Sequence, residues 1–155
     1  MWNNKKSVNL SIVVCFILSA VLVLLAIFGP TIFNLYMTAY RGFKPNGDAM
    51  RDLSRTFALC FYPSAVFAGI ILYSLLKLLF NIKGGQVFTN QNATLLRVVS
   101  WCCFAIAIIT FVGAFFYMPF GVVALAGGFV GMMLRVLKNV MQSAALMREE
   151  NDLTI

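Results

Sequence analysis

A chain of 155 residues that is 61% hydrophobic and only 11% charged, with mean hydropathy +0.90, is not a soluble globular domain, in which about a quarter of residues are charged. Nor does its net charge of +7 mark a nucleic-acid binder. The twelve Lys and Arg stand singly or in pairs at the ends of apolar runs, where they set orientation and anchor at headgroups, instead of clustering on one face among aromatics.

Met1–Ser7 is polar and carries Lys5 and Lys6. Residues 8–28 are almost wholly apolar and carry no charge. That run exceeds a signal-peptide core of about 7–15 residues, and no small-x-small cleavage site follows it. It reads as a first transmembrane span. Cys15 is preceded by Val14 and followed by more apolar chain, so it is filler and not a lipid acceptor. Cys60, Cys102 and Cys103 also lie in apolar runs, where Cys acts as a small hydrophobe. An outer connection is expected over residues 29–55, opened by Gly29-Pro30. The helical spacing of Ile32, Phe33, Leu35, Tyr36 and Tyr40 also allows the first helix to run on past Pro30. Pro45-Asn46-Gly47 has turn chemistry, and Asn46 or Asp48 could cap the next helix.

The second span is expected over 56–80, and a loop over 81–96 returns the chain to the membrane. Gly84-Gly85 stops one helix there. Thr89 caps the next, with Phe88 in the staple position and Asn90, Gln91 and Asn92 in the first turn. The third span, 97–117, ends in the uncharged turn Tyr117-Met118-Pro119-Phe120. The fourth, 120–140, leads into a tail over 141–155 whose start continues as an amphipathic helix through Met147. Ala124-x3-Gly128 and Gly127-x3-Gly131 give this span small residues on its faces, and such faces let another helix approach closely. Ala124, Gly127, Gly128 and Gly131 are thus candidates for packing inside the monomer or against another copy. Residues 1–155 form one membrane domain: an all-α integral-membrane four-helix bundle with short loops.

Four spans place Lys5, Lys6, Lys77, Lys83, Arg97, Arg135, Lys138 and Arg148 on one side and Arg41, Lys44, Arg51 and Arg55 on the other. The side richer in Lys and Arg is cytoplasmic by the positive-inside rule, so both termini are expected inside. The chain has no His and no Asp or Glu within a span. Proton relays built on carboxylates are therefore absent, and a His/carboxylate metal site is excluded for the monomer. Asp48 and Asp52 each have an Arg three residues on, at pairing distance. No base is placed to activate a Ser or Thr. Neither catalysis nor a cofactor is expected.

The loop Lys83-Gly84-Gly85-Gln86-Val87-Phe88-Thr89-x2-Asn92-x2-Leu95-Leu96-Arg97 and the ending Arg148-Glu149-Glu150-Asn151-Asp152-Leu153-Thr154-Ile155 resemble two motifs of the DUF2975 family. The length and span layout match as well. The resemblance implies a small four-span protein of the bacterial cytoplasmic membrane, with no established activity. It also implies an association with a neighbouring helix-turn-helix regulator. Phe88, Thr89, Asn92, Arg97, Glu149, Glu150, Asn151 and Asp152 then become candidates for binding a cytoplasmic partner. Two other readings stay open: a small oligomeric transporter or channel packed through Gly127 and Gly131, and an accessory subunit of a larger membrane complex.

Overall fold

The computed structural model describes residues 4–42, 47–85 and 89–152, with side chains from Lys6 to Met147 within those ranges. Four helices make up nearly all of it: α1 (Asn4–Arg41), α2 (Asp48–Lys83), α3 (Asn90–Ala114) and α4 (Pro119–Asp152). Each is long and apolar enough to cross a membrane. Lipid offers no partner for a bare N–H or C=O, so an apolar chain there satisfies its backbone by closing every bond within a helix.

The ends of the helices follow local chemistry. Gly42 (φ 67°) follows α1, and Gly85 (φ 80°) lies two residues past the end of α2. Both occupy the left-handed region that only glycine adopts without steric cost. Pro119 is the first residue of α4, where its missing N–H would have had no helical partner anyway. Pro30 and Pro63 lie inside α1 and α2, so α1 does continue past Pro30, as the spacing of its apolar residues allowed. Most of the connection expected over 29–55 is consequently helix, and residues 42–47 are all that separates α1 from α2.

Two local expectations need adjusting. The residue preceding α2 is Gly47, extended at φ −68°, ψ 150° and without a side-chain cap. Asp48 is instead the first helical residue, where its carboxylate faces the positive end of the helix dipole. Asn46 lies outside the described residues. The expected ion pairs Asp48–Arg51 and Asp52–Arg55 form at 3.9 Å, but they are solvent-exposed and contribute little.

The helices pack in chain order, α1 on α2, α2 on α3 and α3 on α4. At one end of the bundle, Phe33, Met37 and Met50 form a buried cluster with Leu53, Phe57 and Tyr117 packed around it. Phe33 stacks on Phe57 at 4.1 Å between centroids, and Phe57 reaches Phe120 of α4 at 5.9 Å. Arg41, the last residue of α1, lines a cavity with Met37, Leu53 and Met118 of the α3–α4 turn, so both turns lie at this end of the bundle. We call this the hairpin end. The other, terminal end carries the start of α1, the α2–α3 connection and the end of α4.

Hydroxyls inside the helices are mostly turned back on their own backbone. Ser19 donates to the Cys15 carbonyl, Ser64 to Cys60 and Thr110 to Ile106. Two cross between helices: Ser54 donates to Asn34 Oδ1, and Ser100 to the Gly131 carbonyl at 2.7 Å. No buried side-chain polar atom among the described residues lacks a partner.

Candidate functional site

The α2–α3 connection is held by a cap and a clamp. Thr89 is extended (φ −126°, ψ 148°), and its hydroxyl oxygen accepts from the Asn92 N–H at 3.4 Å. Its carbonyl accepts from the N–H groups of Asn92 and Ala93, which starts α3 where the sequence predicts. Asn92 is fully buried, and its Oδ1 accepts from Asn81 Nδ2 of α2 at 2.8 Å. A side chain so enclosed presents no surface to a partner. Asn92 ties α2 to α3 and so positions the connection. Phe88, the expected staple, lies outside the described residues. Replacing Thr89 with Ala removes a cap worth about 1 kcal/mol. The expected result is faster amide exchange over residues 90–93 with the rest of α3 unchanged, checked by hydrogen–deuterium exchange in detergent.

The start of the tail continues α4 as expected, and the helix runs five residues further than Met147, through Asp152. Glu149, Glu150, Asn151 and Asp152 therefore sit on a helix. Because Lys138 and Asn139 lie beside Arg97, α4 overshoots the first residue of α3 by roughly 10 Å.

Arg97 belongs to a different surface from the connection. It lines a cavity of about 330 Å³ between α3 and α4, together with Ser100, Trp101, Arg135, Lys138 and Asn139. Arg135 lies over the Trp101 ring, 5.7 Å from its centroid. Lys138 Nζ donates to Asn139 Oδ1 at 3.3 Å. Ser100, by holding the Gly131 carbonyl, fixes the spacing of the two walls. Sequence reasoning used Arg135 and Lys138 only to orient the chain, and placed Arg97 among the candidates for a cytoplasmic partner. The missed signal is a matched spacing: Arg97-Ser100-Trp101 and Arg135-Lys138-Asn139 both run i, i+3, i+4, so each trio occupies one helix face.

The small residues of α4 divide by face. A methyl added at Gly127 would lie 3.4 Å from the Cys103 carbonyl oxygen, and one at Gly131 would lie 3.3 Å from Cys103 Cβ. Both glycines are thus spent on α3 within the monomer, and an oligomer seam through them would first have to break that contact. Ala124 is buried, whereas Gly128 faces open space. The tightest approach is at Gly113 of α3, where a methyl would lie 2.8 Å from Cys60 Sγ and 2.9 Å from the Phe120 ring.

Set against known proteins, residues 2–155 match the model of a family described as a protein of unknown function, DUF2975. No curated protein matches, and no solved structure does.

Proposed function

The chain belongs to the DUF2975 family, and for this multi-pass membrane member of it we propose a non-enzymatic, regulatory role: it docks a soluble cytoplasmic partner at its terminal end. The observation that carries the reading is the unbroken course of α4 to Asp152, past the start of α3. It carries Glu149, Glu150 and Asp152 on a helix that projects beyond the start of α3. Lys and Arg outnumber their counterparts at the hairpin end by eight to four, which supports a cytoplasmic position for this arm.

Acidic groups on a projecting helix suit a basic partner surface, because complementary charge speeds encounter and fixes register. The DNA-facing side of a helix-turn-helix regulator is such a surface. Capture there would compete with operator DNA, so membrane binding and repression would exclude each other. Phe88, beside Thr89 on the neighbouring connection, would supply an apolar part of the contact.

The test is co-purification in mild detergent of the intact protein with the soluble regulator. Retention is expected at low salt, with at least a tenfold loss of affinity, about 1.4 kcal/mol, on replacing Glu149, Glu150 and Asp152 by Gln, Gln and Asn. Equal retention by the neutralised variant would remove the reading. Co-purification with membrane subunits only would favour an accessory subunit, and solute flux from proteoliposomes a transporter.

A further inference from the structure

Three cationic side chains, Arg97, Arg135 and Lys138, line one cavity between two helices. Both ion pairs found among the described residues are at the start of α2, at the hairpin end. Like charges gathered beside lipid repel one another more strongly than they would in bulk water, since the local dielectric is lower. Cations that serve only to orient a protein have no reason to converge; each does its work pointing separately to the headgroup layer. Here two helices aim matched trios at a common space, and a serine-to-backbone bond holds the walls at fixed spacing.

We propose that this α3–α4 cavity binds a phosphate-bearing anion, and that its position favours the headgroup of an anionic phospholipid. Arg97 stands at the border between the polar start of α3 and the apolar run that follows it, the depth at which lipid phosphates lie. Basic pockets between membrane helices are suited to such headgroups. Guanidinium groups offer forked donors that match phosphate oxygens in pairs, and Lys138 adds a mobile point charge. Trp101 forms a wall of the kind that settles at a membrane interface, and its ring supports Arg135. Asn139 accepts from Lys138 and so holds the ammonium at the cavity. Arg135 and Lys138 lie outside the proposed docking arm, so this site and that reading stand or fall separately.

The chain has two Trp, at positions 2 and 101, so a Trp2→Phe background leaves Trp101 as the sole indole reporter inside the cavity. The full-length protein is placed in nanodiscs of phosphatidylcholine with increasing phosphatidylglycerol or cardiolipin, and Trp101 emission is followed. A saturable shift is expected with the anionic lipids and not with phosphatidylcholine alone. In Arg135→Gln/Lys138→Gln the midpoint should move at least tenfold, whereas Lys77→Gln/Lys83→Gln removes equal charge away from the cavity and should leave it in place. Arg135→Lys, which keeps the charge and loses the fork, should fall between. Native mass spectrometry should show phospholipid retained by the parent and lost from the cavity double variant.

A second arm titrates inorganic phosphate into phosphatidylcholine nanodiscs. A saturable response there would keep the site and assign it a soluble phosphate compound. No response in either arm would overturn the proposal. So would an equal loss in the Lys77/Lys83 variant, which would reduce the effect to bulk surface charge. Melting curves of all variants guard against loss by unfolding, with Arg135→Lys and Lys138→Gln alone as the milder changes on which the outcome is read.

Discussion

Gly113→Ala is expected to lower the melting temperature of the detergent-solubilised protein more than the same change at Gly127, Gly131 or Gly128. The added methyl would sit 2.8 Å from Cys60 Sγ on α2 and 2.9 Å from the Phe120 ring on α4, closer than real Cβ atoms come. Three helices meet at this point, so relief needs the Cys60 thiol and the Phe120 ring to shift together. Phe120 itself is pinned by Phe57 and by Tyr117 at 5.6 Å. Overpacking of this kind costs about 1–3 kcal/mol, and Gly113→Leu should prevent recovery of folded protein. At Gly127 and Gly131 the added methyl would meet neighbours at 3.3–3.4 Å, so smaller losses are expected. Gly128 has no neighbour within 4 Å and should tolerate Ala with no loss. A thermal series in which Gly128→Ala proved as damaging as Gly113→Ala would mean that α4 is rotated from the face described.

Asn92→Leu is the second large effect, and it acts on stability and position together. Leucine is of similar size but cannot accept from Asn81 Nδ2, which now has its partner at 2.8 Å. Asn81 is half-buried, so leaving its donor without an acceptor costs about 1 kcal/mol, the low end of the penalty for a buried group. Asn81→Leu/Asn92→Leu should recover part of that loss, because replacing both members of a buried polar pair is less harmful than replacing one. The same single change should raise protease sensitivity at the α2–α3 connection before it affects α1. Limited proteolysis and a double-mutant cycle would read the two effects, and strictly additive losses would show that the pair is not coupled.

Much of this was legible in the residues. Long uncharged runs bounded by Lys and Arg leave helices as the economical solution in lipid, and Thr89 and Gly84-Gly85 announce their own roles through capping and turn chemistry. The extension of α1 to Arg41 was only half visible. Pro30 suggests a break in water, but inside a packed membrane helix it does not force one. The docking candidates were drawn from a linear motif, and linear proximity hides direction. One helical turn after Thr89, Asn92 points into the bundle, and Arg97 turns toward α4. The basic cavity was invisible for a related reason: its two halves are 38 residues apart, from Arg97 to Arg135, and only the antiparallel α3–α4 pairing brings them together. Gly113 escaped notice because no second small residue at a four-residue interval accompanies it.

Packing in strict chain order has a bearing on how the protein comes to exist. Each helix after the first finds one of its direct packing neighbours already in the bilayer, so no segment need wait for a distant one or slide between two that have settled. Local pairings of this kind form quickly, and membrane helices can associate after each has inserted. The nascent α1–α2 pair can close while α3 is still being translated. The aromatic contacts of Phe57 with Phe120 and of Phe33 with Tyr117 then act as a latch, engaged only when the last helix arrives.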